Sequence, residues 1–286
     1  SAPGLRERFE SSLRSGKRRI GRGVPASRRV KGLGGAKGRR RLQVRKLVAP
    51  FLQRPLTLTT PTGLRLRVTG DPVDELIAQH LLGPNRSEYF PAWPGEARSG
   101  MCILDVGAHH GLYAAAALQE YPSSRVICVE PSPSSLPSLH ANLAVNGYSA
   151  RARIVNAALA AAPGVGVLRH TDEGSWGNSL FEEETVATSS EKVVLTTLAD
   201  ILQGDQPDVV KCNAEGAEFS LFAQLAELRL TPMLMIVMVH PEFGDLDALV
   251  GQAEAMGYTL AQVGTATRPA FHLWHDATLD AGAARS

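Results

Sequence analysis

Residues 103–111 read ILDVGAHHG and lead into the alanine-rich stretch LYAAAALQEY. An apolar run that ends in Asp105 and continues through Gly107 and Gly111 predicts a buried β-strand, a tight turn and a helix, because glycine permits a sharp turn close to a ligand. The spacing Asp-x-Gly-x-x-x-Gly differs from the Gly-x-Gly-x-x-Gly of dinucleotide-binding proteins, and the Lys-Ser/Thr pair of a phosphate-binding loop is absent. A βα turn that holds no ligand shows the same pattern, so both interpretations stay open.

The alternation of strand and helix continues along the rest of the chain. Apolar runs such as RVICVE (125–130) and MLMIVMVH (233–240) predict buried strands, and residues 134–147 and 217–228 show helical spacing. This order predicts an α/β fold with a mostly parallel, Rossmann-like sheet covered on both faces, and two closing strands predict an antiparallel edge. The polar stretch 171–190 is interpreted as a loop, either over an acceptor pocket or as an ordinary surface excursion.

Composition divides the chain into three parts. Residues 1–48 form a basic, irregular arm, residues 49–100 a small β-hairpin and helix element, and residues 101–286 the α/β domain. In the second part, LTLTTPTGLRLRV predicts two short strands around a turn. DPVDELIAQHLL then predicts a helix with its N-cap at Asp71.

The first fifty residues are strongly basic. They hold 16 of the 30 Lys and Arg but two of the 28 Asp and Glu, so their formal charge is +14 and that of the remainder is −12. Such an arm can neutralise many phosphates, which predicts RNA, above all rRNA or a ribonucleoprotein, as the partner of residues 1–48. A mitochondrial or plastid transit segment and a solvated tail are the alternatives. The candidate RNA-binding residues are Arg18, Arg19, Arg28, Arg29, Lys37, Arg39, Arg40 and Arg41.

Composition also excludes several classes of protein. With 44% apolar and 20% charged residues, the chain can bury a core and is not globally disordered. No run approaches the about 18 apolar residues of a membrane span. Cys102, Cys128 and Cys212 each fall inside a predicted buried strand, which argues against a disulfide framework. A reducing intracellular compartment is therefore expected, with the mitochondrial matrix, another organelle and the cytoplasm left open.

A second acidic residue strengthens the interpretation of the first motif. The strand after the Ala-rich helix ends in Glu130, 25 residues after Asp105. A carboxylate at the tip of the second strand is placed to accept both ribose hydroxyls of a nucleoside. A solvated carboxylate at a strand end is the alternative. Together, the two acids on neighbouring strands predict a nucleoside-binding site.

The order of these motifs resembles the FkbM family of S-adenosylmethionine-dependent methyltransferases. The resemblance rests on LDVGAHHGLYAAA, VICVEPSPSSLPSLHANLAVNG, VNAALA, TTLADIL and DVVKCNAEGAEFSLFAQL, and it covers roughly residues 56–262. It implies a seven-stranded class I methyltransferase fold, S-adenosylmethionine as cofactor and, in known members, O-methylation of small-molecule or sugar hydroxyls. It also implies the cofactor-binding residues: Asp105, Gly107, Ala108 and Gly111 beside methionine and ribose, Glu130 at the ribose, and Asn156 and Ala157 beside adenine.

Methyl transfer to a hydroxyl requires a group that removes the hydroxyl proton. The candidate bases are Glu215, His240 and Glu218. The two glutamates are three residues apart at the start of a helix, and His240 follows the next strand, so all three are expected at the same edge of the sheet. Glu218 as a partner of the helix dipole and His240 as a hydrogen-bonded core residue are the alternatives.

Two departures from the family pattern bear on catalysis. Asn213 replaces the Asp of the family block KIDVEGAE and cannot act as a base, and His109 with His110 replaces the usual Asn-Ile. The scattered histidines show no metal-ligand spacing, so no metal site is predicted. Two hypotheses follow: an FkbM-like methyltransferase tethered to RNA, or a catalytically silent structural subunit of an organellar ribosome whose cofactor site is a relict.

Overall fold

The computed structural model describes residues 55–69, 71–94, 99–171, 174–179, 189–264 and 269–283. The predictions for the basic arm and its candidate RNA-binding residues lie outside the described residues. Strands and helices are numbered below in chain order.

A seven-stranded sheet forms the centre of the described chain. In spatial order its strands are β12 (Tyr258–Gln262), β13 (Ala270–His275), β11 (Leu234–Met238), β10 (Val209–Cys212), β3 (Cys102–Val106), β4 (Arg125–Val129) and β5 (Ala152–Val155). All pairings are parallel except those of β13, which runs antiparallel to both β11 and β12. The α/β fold with a mostly parallel sheet and an antiparallel edge is thereby confirmed.

Helices connect the strands of the central sheet. The prediction of an N-cap at Asp71 is confirmed, because its side chain accepts a hydrogen bond from the Val73 N–H. Asp245 caps a later helix in the same way. The helices are α1 (Pro72–Leu82), α2 (Leu112–Glu120), α3 (Leu136–Val145), α4 (Leu198–Leu202), α5 (Ala217–Glu227), α6 (Leu246–Ala255) and α7 (Asp276–Ala283), with 3-10 turns at Pro84–Glu88, Ser149–Arg151 and Pro241–Phe243.

The predicted N-terminal hairpin consists of β1 (Leu56–Thr59) and β2 (Arg65–Val68), which pair antiparallel. Its apolar side chains belong to the same hydrophobic core as side chains of β3 and α2. Asn142 of α3 fixes the hairpin from the side: its amide oxygen accepts from the Arg67 N–H, and its amide nitrogen donates to the Arg67 carbonyl. The hairpin and α1 therefore pack as part of the α/β body.

A second, four-stranded sheet departs from the sequence-based prediction. The apolar run at residues 152–159 reads as one strand in the sequence but forms two, because the chain leaves the central sheet after β5. Part of the predicted loop 171–190 is also strand, and residues 180–188 lie outside the described part of the chain. In spatial order this sheet consists of β6 (Ala158–Leu159), β9 (Ser189–Thr196), β7 (Gly164–Thr171) and β8 (Gly174–Ser179).

The core lies between the central sheet and its helices. Strand β3 is buried along its whole length, as a strand covered on both faces must be. Cys102, Cys128 and Cys212 are buried and free, which confirms their predicted place inside strands. Among the described residues, no helix is both long and apolar enough to cross a membrane.

Candidate functional site

An open cleft lies at the carboxyl ends of the central parallel strands, the edge at which open α/β sheets bind ligands. Residues from α1, from the turn after β3, from the end of β4 and from the turn after β10 line it. Three of the predicted cofactor-binding residues, Asp105, Gly111 and Asn156, are not part of this lining. The predicted residues that do line the cleft are Gly107, Ala108, Glu130 and Ala157.

Close main-chain packing requires glycine at two positions of the β3–α2 turn. Gly107 has φ +75°, and a Cβ atom there would lie 2.0 Å from the carbonyl oxygen of Asn213. The Asn213 N–H in turn donates to the Val106 carbonyl at 3.1 Å. Gly111 has φ +74°, and a Cβ there would meet the Leu139 side chain at 2.4 Å. Both glycines thus serve contacts within the protein, whatever their role toward a ligand.

The carboxylate of Glu130 joins two turns beside the cleft. One oxygen accepts from the His109 N–H at 2.6 Å, and the other accepts from the Ser132 N–H at 2.9 Å. Burial raises the pKa of Glu130, although these two backbone hydrogen bonds favour the ionised form. The side-chain amide of Asn156 donates to the Glu130 carbonyl at 2.8 Å. Asn156 therefore supports the strand tip on which Glu130 is placed.

Asp105 forms a buried ion pair with Lys211 of β10. The two residues are register partners on neighbouring parallel strands, and Lys211 Nζ lies 2.9 Å from Asp105 Oδ1. Burial raises the pKa of Asp105, and the Lys211 ammonium opposes this shift. Lys211 also donates to the Gly107 carbonyl at 2.7 Å. Through this contact, the ion pair supports the β3–α2 turn, which borders the cleft.

The two histidines of the first motif stack on each other in the cleft wall. Their ring centroids are 3.7 Å apart, and His110 Nδ1 lies 2.7 Å from Asp74 Oδ1 of α1. His109 has φ +49°, a left-handed conformation that is uncommon outside glycine. Burial and the neighbouring His110 lower the pKa of His109 to about 4. Both rings line the cleft and leave it open.

The three candidate bases lie together, as the sequence predicts. Glu218 Oε1 accepts from both the backbone N–H and the ring Nδ1 of His240, at 2.7 and 2.9 Å. His240 Nε2 lies 3.4 Å from Glu215 Oε2. Burial lowers the pKa of His240, but the hydrogen bond to Glu218 and the charge of Glu215 outweigh it, so this pKa lies above its ordinary value. The imidazole is held between two carboxylates.

The three candidates differ in what they can contact. Glu218 is fully buried, and its second oxygen accepts from the Gly216 N–H at 2.9 Å. This geometry is that of a group that orients the His240 ring and determines which ring nitrogen carries the proton. Glu215 lines the cleft and is therefore the member of this group that a ligand in the cleft can reach.

Two residues that the sequence reasoning did not single out take part in the site. Lys211 lies in the block KCNAEGAE, where its charge inside a buried strand could have indicated an acidic partner. Asp74 had no such signal, since its contact with His110 joins residues 36 positions apart.

A family model for the FkbM methyltransferase domain matches residues 105–260, just over half of the chain. The chain belongs to the FkbM methyltransferase family. This membership confirms the family inferred from the sequence motifs and, with it, S-adenosylmethionine as the cofactor. No curated protein is similar enough to the chain to count as a match.

Solved structures similar to this FkbM-family chain include methyltransferases of low sequence identity. The C-terminal domain of precorrin-6Y C5,15-methyltransferase from Rhodobacter capsulatus is 18% identical over 70% of this chain and 87% of its own, with a TM-score of 0.40. Ribosomal protein L11 methylase from Lactobacillus delbrueckii subsp. bulgaricus is 13% identical over 71% and 79%, with a TM-score of 0.42. Aeropyrum pernix fibrillarin in complex with S-adenosyl-L-methionine is 12% identical over 62% and 67%, with a TM-score of 0.38.

The cleft of this FkbM-family protein fits the cofactor. Each Glu130 oxygen accepts one backbone N–H, and a carboxylate has about four acceptor positions, so acceptor capacity remains for ribose hydroxyls. Val129, Ala158 and Leu159 supply an apolar wall next to Glu130, as a purine ring requires. The residues present therefore match a nucleoside with a polar sugar and an apolar base.

Proposed function

We propose that this protein is an S-adenosylmethionine-dependent O-methyltransferase that acts on a hydroxyl of a small molecule or sugar, and that its basic arm tethers it to RNA or a ribonucleoprotein. The observation that supports transfer to a hydroxyl is the group formed by Glu215, His240 and Glu218. Such a group can take up the proton that a hydroxyl loses when it is methylated.

S-Adenosylmethionine, when bound, supplies an activated methyl group on a sulfonium, so the oxygen–carbon bond forms as the sulfur–carbon bond breaks. Glu130 would bind the ribose hydroxyls, and the wall formed by Val129 and Ala158 would hold the adenine. The acceptor hydroxyl would donate a hydrogen bond to Glu215, which lines the cleft. Its proton would end on His240 Nε2, 3.4 Å from Glu215, while Glu218 keeps Nδ1 protonated.

Calorimetry with S-adenosylmethionine and S-adenosylhomocysteine tests the cofactor site. We expect Glu130→Gln to abolish measurable binding of both, because the ribose loses its carboxylate partner. Glu227→Gln changes an exposed carboxylate at the end of α5 and should leave binding unchanged. Wild-type protein that binds neither compound would contradict the proposal.

A panel of sugars and small hydroxyl compounds with S-[methyl-³H]adenosylmethionine tests the reaction. Glu215→Gln and His240→Asn are expected to lower kcat by about 100-fold or more while the cofactor still binds, since general base catalysis contributes about 10²–10⁴-fold. Unchanged kcat in both variants would show that another group takes the proton.

The arm is proposed to bind RNA because the first fifty residues carry a formal charge of +14, whereas the rest of the chain carries −12. Replacing all eight candidate residues, seven arginines and one lysine, by Gln in the full chain keeps its length and removes eight charges. We expect the salt slope of RNA binding to fall in magnitude by up to about 6–7, because each neutralised phosphate contributes about 0.7 (single strands) to 0.9 (B-form duplex) to that slope. A control with the body residues Arg65 and Arg229 replaced should keep the slope. Equal slopes in all three proteins would exclude the arm as the RNA-binding segment.

The silent ribosomal subunit remains the second candidate because Asn213 and the His109–His110 pair depart from the family pattern. An organelle such as the mitochondrion is the proposed location for either function. Sedimentation of cell extracts separates the two: a subunit is expected in stoichiometric amount with ribosomes and without methyl transfer to any fraction. An enzyme is expected to transfer methyl groups whether or not its arm holds it on a particle.

A further inference from the structure

Three side chains of the types that coordinate metal ions lie close together at the wall of the cleft. Asp74 of α1 and His109 and His110 of the β3–α2 turn each place one nitrogen or oxygen atom within 4.8 Å of the others. Asp74 Oδ1 lies 2.7 Å from His110 Nδ1 and 3.8 Å from His109 Nδ1. Asp74 is fully buried, and both histidines line the cleft. The three atoms therefore converge on one position beside open space.

The polar contacts of the His109 ring are long: Nε2 lies 3.8 Å from Asp71 Oδ2, and Nδ1 lies 3.8 Å from Asp74 Oδ1. Both ring nitrogens are buried, and neither has a hydrogen-bond partner among the described residues. Burying a polar group without a hydrogen bond is unfavourable, and a left-handed backbone at a residue with a Cβ adds to the cost. The ring stack with His110 does not satisfy either nitrogen. A ligand for the His109 nitrogen would remove this cost.

The carboxylate of Asp74 is held in place from its other side. Its Oδ2 accepts from the backbone N–H and the hydroxyl of Thr69, at 2.6 and 2.9 Å, which leaves Oδ1 directed at the histidines. The amide nitrogen of Asn142 donates to the His110 carbonyl at 2.9 Å and so fixes the turn. Ordered supports of this kind are typical of residues that hold a metal ion.

We propose that Asp74, His109 and His110 bind a divalent first-row transition-metal ion such as Zn²⁺. Two imidazoles and one carboxylate suit Zn²⁺, Co²⁺, Ni²⁺ or Fe²⁺, whereas Mg²⁺ and Ca²⁺ prefer oxygen ligands alone. Ligand bonds of about 2.0–2.2 Å place the ligand atoms of one ion within about 4.4 Å of one another. The distances from Asp74 Oδ1 to His110 Nδ1 and to His109 Nδ1, 2.7 and 3.8 Å, lie within that limit.

The ion would replace the hydrogen bond between Asp74 and His110 by a bond to each. Three protein ligands leave at least one coordination position, and the position of both histidines in the cleft lining directs it toward the cleft. None of its three side chains belongs to the Glu215–His240–Glu218 group, so the metal site does not use the residues proposed for proton transfer.

Cobalt titration of tag-free, chelator-treated full-length protein tests the site. We expect one equivalent of Co²⁺ to produce visible ligand-field bands, and Zn²⁺ to displace it. His109→Ala removes a ring that makes no side-chain hydrogen bond and should therefore fold. It is expected to weaken Co²⁺ binding by at least about 100-fold, the upper end of the effect of losing an outer-sphere partner. His140→Ala removes an exposed histidine of α3 and should leave binding unchanged.

A thermal melt supplies the second measurement. Zn²⁺ should raise the Tm of the wild type and of His140→Ala but not that of His109→Ala, because an ion that binds only the folded state stabilises it. Equal Co²⁺ affinity in His109→Ala and wild type, or no bands in the wild type, would overturn the proposal. The histidine pair would then be a packing feature of the cleft wall alone.

Discussion

Lys211 and Asp105 lie side by side on neighbouring parallel strands, with their charged groups 2.9 Å apart and side-chain exposures of 5% and 0%. An ion pair so deeply buried depends on both partners, because either charge alone would be left without compensation in the core.

Lys211→Met should destabilise the protein by about 3–5 kcal/mol, since it leaves the Asp105 carboxylate alone or forces it to take up a proton. Asp105→Leu should have a similar effect through Lys211. The double variant Asp105→Leu/Lys211→Met is expected to recover much of the loss. Urea unfolding of the four proteins measures the free energies, and simple additivity of the two losses would contradict the coupling.

Gly107 and Gly147 share a left-handed backbone, with φ of +75° and +74°, but differ in their surroundings. A Cβ at Gly107 would lie 2.0 Å from the Asn213 carbonyl oxygen, whereas one at Gly147 meets nothing within 4 Å. Gly147→Ala should cost about 1–2 kcal/mol of stability from its backbone alone. Gly107→Ala should cost about 1–3 kcal/mol more from overpacking. Chemical unfolding measures both, and equal losses would show that the turns after β3 and β10 can separate freely.

His240 is expected to titrate above pH 6.5 in the folded protein. Burial lowers its pKa, but the hydrogen bond to Glu218 and the charge of Glu215 raise the pKa by more than burial lowers it. Because the folded state holds the proton more tightly than the unfolded chain, this histidine stabilises the fold below pH 6.5. That contribution disappears as the pH rises through the folded-state pKa.

NMR titration of the imidazole checks this expectation. Glu218→Gln should lower the pKa of His240, because it replaces a charged hydrogen-bond acceptor by a neutral one, and Glu215→Gln should lower it less. Glu227→Gln changes an exposed carboxylate at the opposite end of α5 from Glu218 and serves as the control. A His240 pKa below 6.5 in the wild type, or one that ignores Glu218→Gln, would contradict the arrangement.

Asn213→Asp restores the residue that is usual in the family block. The contacts of Asn213 with Val106 and Gly107 are made by its main chain, so the substitution should leave the Tm unchanged. Because Asn213 lines the cleft, a carboxylate there is expected to maintain or raise methyl transfer. Asn213→Leu, similar in size but without a polar group, is the matched control. Loss of activity in Asn213→Asp at unchanged Tm would mean that the amide itself has a role.

Local patterns predicted much of this structure. Three features follow from residues that are neighbours in sequence: the cap at Asp71, the strand–turn–helix around Gly107 and the burial of the three cysteines. The meeting of Glu215, Glu218 and His240 followed from a topological rule, because the carboxyl ends of adjacent parallel strands share one edge of the sheet.

Other features depend on contacts between distant segments. The pairing of Asp105 with Lys211 requires the register of two strands that are about a hundred residues apart in sequence. The strand β8 consists of GSWGNS, whose glycines and serines are typical of loops, and pairing with β7 overrides that local preference. Asp74 meets His110 only because α1 packs beside the β3–α2 turn.

Helix α1 forms one side of the cleft through Val73 and Ile77, yet the family match begins only at residue 105. A fragment trimmed to the matched region would lose this wall together with Asp74, and its binding properties would not represent those of the intact chain. The boundary of the family match is accordingly not the boundary of the cleft.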